Sequence, residues 1–555
     1  MEVTATRIYS GFRGVDFRGE EVSLRRSPDS LNMWKNYKET DSIRTRPGMR
    51  LHTKLKAPVY GVFFYNGAML VHSGTKLYSV KEGTTEEIFD NANERYSDSF
   101  VYEGVWYFKD GVNYLQYDGK IIRPVEGYVP TTSIGRKPSG GGTLYEDVNM
   151  LTGRRINTFL ADGVSTDYYL DARNIDASFD PIVKVNNVEV QGFFVDIEAG
   201  KISFLEPPEA PETDGQDNVS VEFQKTDPKY RERILGCTLL QVFDNRVFFS
   251  GNDAFPNVVW HCSLNDPTYC SDLDYYQEGM DSARITGMVA GNNALWVFRE
   301  PSDANTTIFY HTPTLDADYG KIYPSCHSSI TIGCTGKAVN FNDDIVFFSE
   351  RGMEGISGDI TTEQVAGHRS TLIDRKLTAE AGYSDMVLAE WEGYLLVFIG
   401  RKVYLADSRS AFTNGNHVEY EWFYWEMERE VFCACVYEGG LYLGTEDGVY
   451  TLDDFDASME CHWVTPKDKF EYPNMLKTTN KRGCVAEATG DIQVEAKTEN
   501  TDFETIGENT GVTDYFTSRI KRKKFKDIQL RFSSKTRFSL ESVTLECFIG
   551  GYIKR

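Results

Sequence analysis

The sequence predicts an all-β protein: a β-propeller of six to eight blades with an inserted β-sandwich domain and a C-terminal β module. Three observations predict this class. Phe, Tyr and Trp make up 13% of the 555 residues, and aromatic side chains favour strands. The chain has 47 Gly, which favour tight turns. One pattern of two or three strands joined by short turns also recurs along the chain, as in propeller blades.

Seven copies of this blade pattern are present. In each copy a two-residue turn separates two apolar, aromatic-rich runs, which is the strongest local sign of a hairpin. Apart from one long gap, successive copies begin about 40 to 50 residues apart, as expected for a four-stranded blade. The copies begin at Val59, Ser99, Gly236, Ile285, Gly336, Met386 and Phe432. Their predicted turns are Asn66-Gly67, Glu103-Gly104, Asp244-Asn245, Asn292-Asn293, Asp343-Asp344, Glu392-Gly393 and Glu438-Gly439.

These copies divide the chain into five predicted parts. Residues 1–57 form an irregular, Arg-rich N-terminal segment, and residues 58–135 and 231–460 hold the blades. Residues 136–230 open with the flexible run PSGGG and have strand patterns of their own, which predicts an inserted β-sandwich domain. Residues 461–555 lack the blade pattern and predict a C-terminal β module. Short helices are expected only near residues 30–37 and 370–381. A sandwich of unrelated hairpins is the alternative to the propeller.

Charge and cysteine content limit the classes of function. The formal net charge is −24 and the sequence pI is about 4.9, so the molecule as a whole should repel nucleic acid and anionic membranes. Ten cysteines are scattered through the chain without the dense spacing of a disulfide scaffold, which indicates buried thiols in a reducing cytoplasm. The sequence has neither a signal-peptide pattern nor an apolar stretch long enough to cross a bilayer, so membrane insertion is not expected.

Catalytic and metal-binding motifs are missing from the sequence. It has no G-x-S-x-G elbow, no H-E-x-x-H and no phosphate-binding glycine loop. Cys433 and Cys435 are two residues apart on a predicted strand, so both should face a blade core rather than a metal. Composition leaves room for a glycosidase-type pair among the 83 Asp and Glu, but these residues cluster in turns, where they serve as turn formers. No enzyme activity, metal or cofactor is therefore expected.

One basic cluster stands out in this acidic chain. It lies in the predicted C-terminal module and is a candidate for contact with an acidic neighbouring subunit. A solvated strand face and a contact with DNA phosphates are the alternatives. The cluster comprises Arg519, Lys521, Arg522, Lys523, Lys524 and Lys526.

Three segments resemble phage packaged-DNA stabilisation and tail-nozzle proteins. The first, SPDSLNMWKNYKETDSIRTRPGMRLH from Ser27 to His52, is similar to the opening of those proteins, in which a small-residue and Asn segment leads to an Arg-Pro-Gly turn, here Arg46, Pro47 and Gly48. The second is ILGCTLLQVFDNRVFFSGNDAFPNVVWHCSLNDPTYCSD at 234–272. The third is SSITIGCTGKAVNFNDDIVFFSERGMEGIS at 328–357. The three segments occur in the order found in that family.

The resemblance implies a structural component of the virion tail, assembled in the bacterial host cytoplasm. It implies a homo-hexamer below the portal and adaptor ring that contacts other tail proteins and touches packaged DNA only transiently. Such a ring or nozzle would retain the packaged DNA and conduct it during ejection. A carbohydrate-binding or carbohydrate-cleaving propeller, and a baseplate or adhesion component of a longer-tailed phage, are the alternative functions.

Overall fold

A computed structural model shows an all-β chain in two compact units, Met1–Asp90 with Ser328–Arg555, and Asn91–His327. The structure describes residues 3–19, 22–38, 42–304, 306–317, 320–358, 363–415, 417–499, 501–518, 520 and 524–552. Within these residues the helices are short, and none is long and apolar enough to cross a membrane. They are the α-helices Pro228–Leu235 and Asp374–Leu377 and the 3₁₀-helix Tyr383–Asp385.

The first unit contains four four-stranded antiparallel sheets, which we number with the other blades in chain order. Blade 1 consists of Val59–Tyr65, Ala68–Ser73, Lys76–Lys81 and Thr84–Phe89. Blade 5 consists of Ala338–Phe341, Asp344–Ser349, Gly352–Ser357 and Val365–His368. Blade 6 consists of Val387–Trp391, Tyr394–Ile399, Lys402–Asn414 and His417–Glu426. Blade 7 consists of Cys433–Tyr437, Gly440–Gly444, Gly448–Asp454 and Gly48–Lys54.

The second unit contains the other three four-stranded sheets. Blade 2 consists of Asp98–Tyr102, Val105–Lys109, Tyr114–Tyr117 and Ile122–Pro124. Blade 3 consists of Leu239–Phe243, Arg246–Ser250, Val258–His261 and Tyr275–Gln277. Blade 4 consists of Ile285–Gly291, Ala294–Arg299, Ile308–His311 and Ser325–His327, with a side hairpin of Thr314–Asp316 and Gly320–Ile322. The described sheets therefore include the seven four-stranded meanders that the sequence predicts.

In every blade a two-residue hairpin turn joins the first two strands, and both of its residues have positive φ, the conformation of a type I′ turn. Six of the seven predicted turns are confirmed. The turn of blade 5 was predicted one residue too late. It is Asn342-Asp343, with φ of 51° and 63°, because Asp344 already pairs with Phe341 in the ladder.

The blades pack through strands that are buried on both faces. The second strands of blades 4 and 6, Ala294–Arg299 and Tyr394–Ile399, are buried at every position. A strand covered on both sides is a continuous apolar run rather than an alternating one. Shared clusters join blades 2 and 3, and 3 and 4, in the second unit. In the first unit they join blades 5 and 6, 6 and 7, and 7 and 1.

The N-terminal segment is not irregular, contrary to the prediction for residues 1–57. Its last strand, Gly48–Lys54, completes blade 7 by pairing with Gly448–Asp454. The helix expected near residues 30–37 is also wrong, because Ser30–Leu31 pairs with Cys461–Val464 and Met33–Lys35 pairs with Ile43–Thr45. The remaining N-terminal strands are Val3–Ser10, Gly14–Val15, Arg26–Ser27, Ser30–Leu31, Met33–Lys35 and Ile43–Thr45.

The C-terminal module consists of two sheets that share one apolar core. Each sheet takes up N-terminal strands, so this module is larger than residues 461–555. One sheet, which we call the long sheet, contains Val3–Ser10, Met33–Lys35, Ile43–Thr45, Met475–Thr489, Val512–Ser518 and Ser539–Tyr552. The other contains Ser30–Leu31, Cys461–Val464, Ile492–Thr498, Glu504–Asn509 and Ile528–Ser534.

The insertion in the second unit forms two sheets around its own core, which includes Phe159, Tyr168, Ile202 and Phe223. It begins five residues before the predicted boundary, because Thr131–Arg136 pairs with Arg154–Phe159. Its six-stranded sheet contains Thr131–Arg136, Thr143–Leu144, Arg154–Phe159, Ile182–Val185, Val188–Glu189 and Val219–Gln224. Its three-stranded sheet contains Asp167–Tyr169, Phe193–Asp196 and Lys201–Phe204.

Because the insertion has a separate core, residues 130–226 expressed alone should fold. We expect one cooperative urea transition, with an m-value of about 1–3 kcal/mol/M as for other small domains, followed by circular dichroism. A matched fragment carrying Phe159→Ala should unfold at lower urea, since truncation of a buried Phe costs about 3–5 kcal/mol. A gradual, non-cooperative change in the unaltered fragment would contradict the domain assignment.

Candidate functional site

Among the described residues, no group of three His, Cys, Asp or Glu side chains is placed to hold a metal ion. Cys433 is buried and Cys435 half-buried, and both pack in the cluster that blades 1 and 7 share. Burial raises the pKa of the Cys435 thiol to about 11, so this thiol stays protonated at neutral pH. A thiol needs to lose its proton to bind a metal.

A buried acid–base pair lies in the second unit. His311 and Glu278 are fully buried, and Nε2 of His311 lies 2.9 Å from Oε1 of Glu278. The other carboxylate oxygen accepts a hydrogen bond of 2.6 Å from Ser325. The second ring nitrogen of His311 faces the Tyr323 carbonyl at 2.9 Å. With both partners inaccessible to solvent, this pair ties strands of blades 3 and 4 together and offers no surface to a substrate.

Tryptophan side chains form no sugar-binding platform. All eight Trp residues of the chain are buried. Trp34 stacks on Trp391 at 5.5 Å between ring centroids, but both rings belong to the core of the first unit. Carbohydrate sites usually expose aromatic faces in a concave pocket. The tryptophans of this chain therefore stabilise sheets.

The Arg46-Pro47-Gly48 turn of the phage-like N-terminal segment is a buried structural tie. Arg46 is only 2% exposed. Its guanidinium donates hydrogen bonds to Asn32 Oδ1 at 2.9 Å and to the Pro47 carbonyl at 2.8 Å. It also donates to the Glu426 carbonyl at 2.6 Å and to the Glu428 carboxylate at 3.1 Å. Burial lowers the pKa of Arg46, but an arginine remains charged at neutral pH.

Asn32 is the second half of this tie, and sequence reasoning did not single it out. It has a φ of 57°, a left-handed conformation that Asn tolerates better than most residues. Its Nδ2 donates to the Glu460 carbonyl at 2.8 Å, and its Oδ1 accepts the Glu426 N–H at 2.9 Å. The Arg46 N–H donates to the Asn32 carbonyl at 3.0 Å. A signal was present in the sequence, because Asn32 belongs to the small-residue and Asn segment that leads to the Arg-Pro-Gly turn.

Gly48 is required by close packing. A Cβ at this position would lie 2.2 Å from the Cβ of Ala457, well inside van der Waals contact. Gly48 also begins the strand that completes blade 7. The three residues of the turn therefore join Ile43–Thr45, a strand of the C-terminal module, to the end of blade 6 and to the last strand of blade 7.

Only part of the basic cluster can be placed. Arg519, Lys521, Arg522 and Lys523 lie outside the described residues. Lys524 and Lys526 are exposed and flank Phe525, which is buried. Phe525 exchanges two backbone hydrogen bonds with Lys477, of 2.8 and 3.0 Å. This anchor holds the end of the cluster against the C-terminal module while the two described lysines face solvent.

His368, in the outer strand of blade 5, is a titratable group that sequence reasoning missed. Its Nδ1 lies 3.1 Å from Glu354 Oε1, and its Nε2 lies 2.6 Å from Asp374 Oδ2. Burial alone would lower the pKa of His368, but the hydrogen bonds to Asp374 and Glu354 raise it to about 9. At neutral pH the imidazolium therefore joins two carboxylates inside the first unit.

This geometry predicts a loss of stability at alkaline pH. A histidine whose pKa is higher in the folded state stabilises the fold fully below its unfolded pKa, near 6.5. That stabilisation, on the order of 3 kcal/mol for such a shift, is lost as the pH rises through about 9. Urea denaturation between pH 6 and 10 should show this loss in the wild type and a flatter profile in His368→Gln. His52→Gln is the control, because the ring of His52 faces a neutral group, the Thr53 hydroxyl at 2.8 Å, whereas His368 faces two carboxylates. Equal profiles for the wild type and His368→Gln would disprove the assignment.

Comparison with known proteins finds solved structures that align with this chain at low identity but no matching family. No family model matches the chain, and no curated protein matches it significantly. Among solved structures, BamB from Moraxella catarrhalis aligns at 10% identity and a TM-score of 0.34, covering 73% of this chain and 96% of BamB. The computationally designed Ika8 protein aligns at 10% identity and 0.31, covering 73% and 98%. Hsv2 from Kluyveromyces lactis aligns at 9% identity and 0.23, covering 66% and 97%. These scores are below 0.5, and the fold assignment rests on the sheet topology.

Proposed function

We propose that the chain is a structural subunit of a phage tail, forming a ring or nozzle that retains packaged DNA and conducts it during ejection. One observation carries this proposal. The residues through which the N-terminal segment resembles the phage family, Arg46, Pro47 and Gly48, make the buried tie between blades and C-terminal module. The resemblance therefore involves residues that the fold depends on.

The charge of the chain supports this role. A net charge of −24 repels the DNA backbone, so DNA can pass along such a surface without binding to it. The proposed role needs no catalysis and no cofactor. Its partners would be five further copies in a hexamer, the portal and adaptor ring, and other tail proteins, assembled in the bacterial host cytoplasm.

The alternative functions have less support. A carbohydrate-binding or carbohydrate-cleaving propeller would use exposed aromatic rings beside paired carboxylates. All eight tryptophans are buried, and the exposed rings are those of Tyr and Phe, among them Tyr128 beside Glu146. A baseplate or adhesion component of a longer-tailed phage shares the structural role, and the inserted domain with its own core suits such a protein as well. The three segments that resemble tail-nozzle proteins favour the nozzle over this alternative.

A nonsense mutation in the gene tests the proposal, with the wild-type gene supplied from a plasmid as the control. We expect mutant heads to package DNA and then lose it, so that they sediment as empty particles. Plasmid expression should restore full heads and infectivity. Mutant virions that keep their DNA, carry complete tails and infect normally would contradict the proposed function.

A further inference from the structure

We propose that neighbouring copies of this chain join by strand addition, the edge strand Val3–Ser10 of one copy pairing with the edge strand Val512–Ser518 of the next. This contact deepens the proposed function. Only the claim that the joined copies form a ring rests on the proposed function. Both strands lie at edges of the long sheet of the C-terminal module.

The first edge is long and regular. Val3–Ser10 pairs over all eight residues with Ser542–Ile549, without a register shift, and no second strand pairs with it among the described residues. In an antiparallel ladder about half of the residues turn their N–H and C=O groups away from the neighbouring strand. Those groups form a template for another strand. Ile8, 58% exposed, lies on the solvent face of this edge.

The first edge also lacks the usual protection against pairing. Natural sheets protect their edges with Pro, bulges, short strands or outward charges. The only charged side chain in Val3–Ser10 is Arg7, which is occupied within the module: its Nε donates to Asp468 at 2.8 Å and its Nη1 to Glu471 at 3.1 Å. The outer strands of four blades do have such protection: Thr84–Phe89 exposes Glu86 and Glu87, Ile122–Pro124 ends in proline, and Tyr275–Gln277 and Ser325–His327 have three residues each.

The second edge matches the first in length and direction. Val512–Ser518 has seven residues and pairs only with Met475–Thr489 among the described strands. The order Val3–Ser10, Ser539–Tyr552, Met475–Thr489, Val512–Ser518 is antiparallel at every step. A copy placed beside this sheet in the same orientation would therefore bring its Val3–Ser10 antiparallel to Val512–Ser518. Such a contact is head-to-tail, and head-to-tail contacts generate a ring when the rotation from copy to copy closes.

Charges placed on the first edge test this contact in the full-length protein. Thr6→Lys with Ile8→Lys should block strand addition, as edge lysines do in natural sheets. By light scattering after gel filtration, we expect an oligomer for the wild type and the chain mass of 63.0 kDa for the double variant, with its melting transition retained. Thr478→Lys is the control. Thr478 lies on the same face of the sheet, across Phe548 from Thr4, but on a central strand, and this variant should remain oligomeric.

Amide hydrogen exchange gives an independent measure. About half of the amides in residues 3–10 should exchange at least tenfold more slowly in the wild-type oligomer than in the double variant. Dissociation by Thr478→Lys would indicate docking through the sheet face. The inference would be overturned by that dissociation, or by equal amide exchange rates in the wild type and the double variant. It would also be overturned by a wild type that stays monomeric at the highest concentration reached. If the protein is found in tails but does not use this contact, the proposed function stands and the inference fails. If the contact is found but the protein is absent from tails, only the proposed function fails.

Discussion

Arg46→Ala should lower the free energy of unfolding of the first unit by about 3–5 kcal/mol, because it removes a buried guanidinium that makes four hydrogen bonds, and loss of a buried hydrogen-bond network is among the most destabilising changes. Arg46 donates to the side chains of Asn32 and Glu428 and to the carbonyls of Pro47 and Glu426. Alanine would remove the hydrogen bonds to the Pro47 and Glu426 carbonyls inside the fold, and each buried group left unpaired costs about 1–3 kcal/mol. Urea denaturation followed by tryptophan fluorescence measures the change.

Two further substitutions separate the contribution of the buried Arg46 hydrogen bonds from that of its charge and from ordinary surface effects. Arg46→Lys keeps the charge but loses the planar fork that reaches several acceptors at once, so its stability should lie between those of the wild type and Arg46→Ala. Arg50→Ala is the matched control, because Arg50 is 59% exposed beside Asp453 and such surface changes stay within about 0.5 kcal/mol. Equal unfolding midpoints for Arg46→Ala and Arg50→Ala would contradict the structural role of the turn.

Reversal of the basic cluster should abolish assembly while leaving the subunit folded. In the triple variant Arg522→Glu, Lys523→Glu and Lys524→Glu, we expect virions that lack the protein or leak DNA, because the cluster is proposed to pair with an acidic neighbouring subunit. Charged rim pairs set orientation more than affinity. Since Lys524 is exposed, its reversal should shift stability by no more than about 0.5 kcal/mol.

The control for the cluster is reversal of three exposed lysines elsewhere, Lys81, Lys120 and Lys184. This variant changes the net charge equally and should assemble. The purified wild type should show no salt-dependent affinity for DNA. DNA binding that falls steeply with salt and vanishes in the cluster variant would instead make the cluster a phosphate contact.

The blades were predictable from sequence because their signals are local. A type I′ turn needs two adjacent residues that tolerate positive φ, and pairs such as Asn66-Gly67 and Asn292-Asn293 provide them between apolar runs. The error at blade 5 has the same origin. Asn342, Asp343 and Asp344 are all turn formers, so local preference left the register open, and pairing of Asp344 with Phe341 decided it.

The N-terminal strands and the candidate sites depend on partners far away in the sequence. Ser30–Leu31 pairs with Cys461–Val464, and the hairpin of Met33–Lys35 and Ile43–Thr45 is held by Ser539–Tyr552. Because these partners lie more than 400 residues later, the local pattern near residues 30–37 could not exclude a helix. Arg46 was singled out through its turn, but its partner Glu428 is 382 residues away. The site around His368 likewise forms only after two blade strands and a short helix meet.

Quantitative mass spectrometry of purified virions, combined with imaging of their tails, tests the central claim most directly. The proposed function predicts peptides from this chain in every intact virion, at about six copies for one hexameric ring, and density for the protein in the tail below the portal. A chain absent from purified virions, or present in capsids but not in tails, would contradict the claim.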